Sequence, residues 1–464
     1  MKKKEIISVI FLLISVITYA EIKLPAIFGE NMLLQQQAEV AVWGWASPKS
    51  TVSVKGSWNN KTFKTQSNEN GEWKLKISTP KAGFIPYTLT ISDGKALVLK
   101  NVLIGEVWIC SGQSNMEMPM KGYKNQPIEN GAEDILNSEN RNIRFFTVKR
   151  QAQTTPQDNT EGAWLEANAE TTANFSATAY YFGRKLFNSL NVPVGLISTN
   201  KGGSRIETWM TPESLKDFPD TKIPAKDDVL STNNMPTGLY NAMIHPIVGY
   251  GIRGAIWYQG EANASNPSEY EKLFASMVTE WRRIWEMGDF PFYFVQIAPY
   301  NYENLNSAFQ REAQQHCQAV KNTGMAVVLD ADSPCCIHPP KKRDAGERLA
   351  LWALAKNYGK KIEYKSPEPV KIDFLDYLTI ITFDIDNNTG LTSWGKEIKG
   401  FEVAGENRKF YPAKNEIEGN KIFVMSPQVP KPIVVRYAFK NTSQAELFSV
   451  SSNLPVSSFR TDDW

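Results

Sequence analysis

Cysteine and histidine are scarce in this 464-residue chain, with four of the first and three of the second. A disulfide-stapled scaffold is excluded. The few Cys and His residues show no metal-ligand spacing, so neither a metal nor another cofactor is expected. An excess of charge is lacking too. Lys and Arg number 51 against 49 Asp and Glu, a formal net charge of +2. That balance offers no strong field for nucleic acid or an anionic membrane. There is no internal repeat, no long low-complexity tract and no membrane-length apolar run.

One shorter apolar run is present. Lys2, Lys3 and Lys4 precede Ile6–Ile17, and Thr18-Tyr19-Ala20 supplies small residues after it. This is the pattern of a cleaved signal peptide over residues 1–20. The run is short of the roughly 20 residues a span needs, and no cysteine follows the cut to carry a lipid. An exported chain is expected, periplasmic or secreted, with no membrane association after cleavage. One disulfide, from Cys317 to Cys335 or Cys336, is compatible with that compartment.

The remaining sequence divides into three stretches. Residues 21–103 read as β, with strands such as Val40–Trp45 and Tyr87–Ile91 separated by Gly/Asn/Asp turns. Residues 104–362 alternate strands with helices. Val194–Ser198, Gly254–Tyr258, Phe292–Ile297 and Met325–Leu329 read as strands, and Ser268–Met287 as an amphipathic helix. That alternation predicts an α/β fold with a parallel sheet covered on both faces. Residues 363–464 are β again. The two flanking stretches are expected to complete one β-sandwich, into which the α/β unit is inserted.

The chemistry centres on Glu106–Met116. Val107–Cys110 reads as a buried strand running straight into the small, polar Ser111-Gly-Gln-Ser114-Asn115. Three later loops also follow strands: Gly202-Gly203-Ser204, Gln259–Asn263 and Ile337-His338-Pro339. In a parallel sheet these loops share one edge. Ser114 is the expected nucleophile and His338 its base. The backbone N–H groups of Ser114 and Gly203 and the Asn263 amide are candidate oxyanion donors. Glu261, Asp330 and Asp332 are candidate acids to orient the histidine. His245 reads as a rim or structural residue and His316 as a surface one.

These blocks, together with Gly346-Glu-Arg-Leu-Ala350, resemble the sialate O-acetylesterase group of SGNH (GDSL-like) hydrolases. The resemblance spans nearly all of the mature chain. It implies a flavodoxin-like α/β/α catalytic domain and removal of acetyl esters from sugars. It also implies Ser114 as nucleophile, His338 as base, and Gly203 and Asn263 in the oxyanion hole. The chain departs from the family's Asp-x-His-Pro pattern, because Cys336 stands where the Asp would be. Related acetylxylan esterases use the Glu of Gln-Gly-Glu, which here is Glu261. A Ser114–His338–Glu261 arrangement is therefore expected, with a Ser–His dyad as the fallback.

The implied substrate is an acetylated glycan, O-acetylated sialic acid first, with acetylated xylan or another plant glycan as the alternative. Arg205, Trp209, Tyr258, Gln259 and Tyr300 lie near the motif loops and are candidates to touch sugar. The rival to an enzyme is an exported carbohydrate-binding protein, which would bind sugar whether or not Ser114 is intact.

Overall fold

A computed structural model describes residues 21–228 and 234–464. The expected signal peptide lies outside the described residues. No helix among the described residues is long and apolar enough to cross a membrane.

The organising element is a 17-residue strand, Ala96–Gly112, fully buried from Val102 to Gly112. It is the middle of a seven-strand path ordered Thr323–Ala326, Phe292–Val295, Gly254–Tyr258, Ala96–Gly112, Val194–Asn200, Asn140–Thr147 and Trp164–Ala167. Every pairing along it is parallel except the last. The strands that follow 96–112 in the chain add first on one side of it and then on the other. Its C-terminal end is thus a topological switch point, where open α/β sheets hold ligands.

The α/β expectation holds, as a mostly parallel sheet with additional antiparallel sheets. Its expected edge at residue 104 falls inside the long strand, however. The N-terminal half of that strand pairs with Gly83–Ser92, and the first β stretch continues directly into the central sheet. A boundary cannot be read where one unbroken strand serves two neighbours.

Among the described residues no ladder joins strands of 21–95 to strands of 363–464. The C-terminal stretch forms its own antiparallel sheets, four strands around Thr379–Phe383 and four around Val434–Tyr437. It docks on the helix Ala308–His316 through Arg311, a fully buried arginine. Arg311 donates to Lys440 O at 2.7 Å and Ser458 Oγ at 3.0 Å. Each bond satisfies a guanidinium that burial would otherwise penalise heavily.

Asn140–Thr147 was not among the strands legible in sequence. Its centre is Arg144, which is 0% exposed and donates to Asn31 O at 2.8 Å and Asn101 Oδ1 at 3.0 Å. A buried arginine breaks the apolar pattern that marks a core strand. The cysteines are all free, against the disulfide considered above. Cys317 is sealed in the core at the end of its helix, while Cys335 is exposed on a loop.

Candidate active site

Gly112 ends the central strand at φ +136°, and a Cβ there would lie 2.2 Å from Tyr258 O. Only glycine lets the backbone pass its neighbour this closely. Gln113 N–H then donates to the same carbonyl at 2.9 Å, and Ser114 opens a one-turn helix, Ser114–Glu117. First-turn amides have no partner within their own helix. Among the described residues Ser114 N–H has no acceptor, and neither does Gly203 N–H. Gly203 sits at φ +70° on an exposed turn. The preceding Gly202 N–H donates to the Glu117 carboxylate, which fastens the glycine loop to the serine helix.

Ser114, Gly202, Gly203, Glu261 and His338 all face one cleft of about 510 Å³. That is a small-ligand volume. The convergence of four strand-end loops expected from sequence is present in space. Ser114 and His338 share the cleft without a direct hydrogen bond; such contacts commonly tighten only around substrate.

His338 Nδ1 donates to Gln126 Oε1 at 2.7 Å. An amide oxygen only accepts, so the ring's proton is on Nδ1 and Nε2 is free to accept. Tyr123 packs edge-on against the ring at 5.3 Å. Burial, and then the nearby Lys342 charge, push the imidazole down to about 4.

None of the three candidate acids is hydrogen-bonded to His338. Asp330 is held bidentate by Arg348 at 2.6 and 2.7 Å, and Asp332 by Lys341. Glu261 Oε1 accepts from Asn115 Nδ2 at 2.5 Å. Asn115 Nδ2 also donates to Ile337 O at 3.0 Å, and its Oδ1 accepts from Lys342 Nζ. Lys342 is 1% exposed. Asn115 therefore bridges a buried cation and a buried carboxyl, and ties the serine, glutamate and histidine loops together. Burial lowers Lys342 to about 7, opposed by Glu261, and raises the Glu261 carboxyl. Cys336 Sγ lies 3.2 Å from His338 O, a backbone contact that leaves the ring untouched.

Asn263 is buried behind the cleft. One amide N–H goes to Glu207 Oε2 at 2.9 Å, and its Oδ1 accepts from Ile206 N and Gln259 Nε2. The residues expected to reach sugar are mostly sealed away. Trp209 and Gln259 are 0% exposed and Tyr258 1%. Trp209 Nε1 donates to Ser204 Oγ, and Gln259 Nε2 to Ser204 O, so both brace the glycine loop from beneath. Arg205 is paired with Glu207 at 2.8 Å. Trp209 and Gln259 thus support the glycine loop, while the Arg205 side chain stays partly exposed beside it. His245 and His316 lie away from the cleft, as expected, the first bound to Gln157 O and the second to Glu271.

Comparison with known proteins fits this geometry. Residues 104–350, more than half of the chain, match the family described as carbohydrate esterase, sialic acid-specific acetylesterase. The chain belongs to this family. It is a carboxylic ester hydrolase of the carbohydrate esterases. The mouse sialate O-acetylesterase is 28% identical, with 92% of each chain covered. The human one is 27% identical over 93% of this chain and 91% of its own. The crystal structure of a carbohydrate acetylesterase from Xanthomonas citri superposes with a TM-score of 0.86 at 33% identity, covering 96% of this chain and 100% of that one.

Two polar residues that hold this esterase's site residues in place escaped the sequence reading. Lys342 had a weak signal, as the middle residue of the basic run Lys341-Lys342-Arg343 at the start of the helix Lys342–Lys356. Gln126 had none, being one polar residue in an irregular loop.

Proposed function

We propose that this carbohydrate esterase removes O-acetyl groups from sugars through an acetyl-Ser114 intermediate, with O-acetylated sialic acids as first substrate. The observation that carries this reading is the meeting of Ser114, His338 and two unpartnered backbone N–H groups in one cleft. Neutral His338 takes the Ser114 proton at Nε2 as Oγ attacks the acetyl carbonyl. The oxyanion lies against the N–H groups of Ser114 and Gly203, while Asn263 braces the glycine loop from behind through Ile206 and Gln259. His338 returns the proton to the departing sugar oxygen. Water, deprotonated by the same nitrogen, then releases acetate and restores the serine. The family's SGNH-type catalytic domain, a glycan partner and export are part of the same reading.

In this arrangement His338 works as a dyad partner held by Gln126. Glu261 acts through Asn115 as a positioning residue rather than on the imidazole. The carboxylate that usually stabilises an imidazolium is replaced by a neutral amide acceptor, which fixes the tautomer but adds no charge.

Acetate release from O-acetylated sialoglycans and from acetylated xylan, measured side by side, tests the substrate. Faster release from the sialoglycan is expected. Release from xylan alone would move the substrate to plant glycans. Release from neither, with sugar binding intact, would favour the binding-protein reading.

A further inference from the structure

A second concave site lies outside the catalytic cleft and shares no lining residue with it. Its floor is one face of the two-stranded ladder Glu39–Trp45 with Glu72–Ser78. Trp43 and Trp45, two residues apart, project to the same side. Opposite them stand Lys74 and Glu72. Asp158 and His245 form the facing wall of a pocket of about 430 Å³.

The two tryptophans are not equivalent. Trp43 packs edge-on against Phe28 at 4.6 Å and belongs partly to the core. Trp45 is half-buried, yet among the described residues it makes no ring contact and is not part of the core cluster. Neither indole N–H has a hydrogen-bond partner among the described residues, and neither is sealed from solvent. A large aromatic face left uncovered beside free donors has both an apolar surface and a polar handle to offer.

The walls supply complementary acceptors. Glu72 Oε2 takes a bond from Asn68 Nδ2 at 2.8 Å and is steadied by it. The Asp158 carboxylate has no cation or donor among the described residues. His245 donates from Nδ1 to Gln157 O at 3.0 Å, which leaves Nε2 as its uncommitted ring nitrogen. Flat apolar faces ringed by both donors and acceptors suit the CH faces and hydroxyls of a pyranose. Two carboxylates against the single Lys74 disfavour an anionic sugar.

We propose that this pocket is a second, non-catalytic carbohydrate site that takes a neutral pyranose unit of a glycan chain. The proposal rests on the reading of the protein as acting on glycans. The site would hold the chain while acetyl groups are removed at Ser114.

The test uses the full mature protein, with xylohexaose and lactose as neutral probes and free N-acetylneuraminic acid as the anionic one. Calorimetric titration is expected to show a neutral probe binding, weakened about tenfold or more by Trp45→Ala. Asp158→Asn, a surface change, should weaken it as well. Hydrolysis of 4-nitrophenyl acetate should be unchanged in both variants, which shows that each is folded. On acetylated polymer KM should rise while kcat holds. The proposal is overturned if neither neutral probe binds, if neither substitution weakens binding, or if the anionic probe alone depends on Trp45. Wild-type protein that binds a neutral sugar through Trp45 but releases no acetate from any glycan would count against the esterase substrate and not against this site.

Discussion

Ser114→Ala and His338→Ala will each lower kcat about a million-fold, and the double variant will be no slower than either. A nucleophile and its base act as one unit, so removing one leaves nothing for the other to do. The residue of activity comes from binding and from the oxyanion donors, which neither change touches. The pH profile makes the claim specific to His338. Only the neutral imidazole accepts the serine proton, so activity is lost as pH falls through its pKa. Burial and the Lys342 charge place that value at about 4. The acid limb of kcat/KM should therefore lie near pH 4, well below the ordinary histidine range of about 6.5. A limb near 6.5 would mean that His338 is solvated, or that another group is the base.

The second large effect is expected at Lys342, which no substrate atom needs to touch. Its ammonium is buried, donates to Asn115, and faces the buried carboxyl of Glu261 through that amide. Lys342→Met strands the carboxyl without its counter-charge. Removing one member of a buried pair costs about 3–5 kcal/mol. Adding Glu261→Gln removes the stranded charge, so the double variant should regain most of the loss in a urea titration. Lys342→Met should also move the acid limb of kcat/KM upward, because the charge that depresses His338 is gone. Equal stability of the single and double variants, with an unmoved limb, would show that Lys342 is only a packing residue.

What the sequence made legible follows from how local each feature is. Ser114 and Gly203 could be placed because each sits in a short turn directly after an apolar strand, and His338 because it lies between the strand Thr323–Ala326 and the helix Lys342–Lys356; strand ends of a parallel sheet share an edge. The helix Pro267–Trp285 was readable from Tyr270, Leu273, Phe274, Met277 and Trp281, all buried on one face. Other features depend on partners far away in the chain. Gln126 meets His338 across 212 positions and Lys342 meets Asn115 across 227. Neither has a local pattern. The Glu261 assignment came from its motif, whereas the bond it makes is to an asparagine 146 positions earlier. The sheet's reach beyond residue 104 was hidden because a strand that changes partners need not change composition.

Trapping the acyl-enzyme tests the central chemical claim most directly. The protein would be mixed with an O-acetylated sugar, quenched in acid during turnover, digested and weighed by mass spectrometry. An acetyl group on Ser114, absent from Ser114→Ala protein that also releases no acetate, is the expected result. Sustained acetate release by the Ser114→Ala protein would contradict Ser114 as the nucleophile.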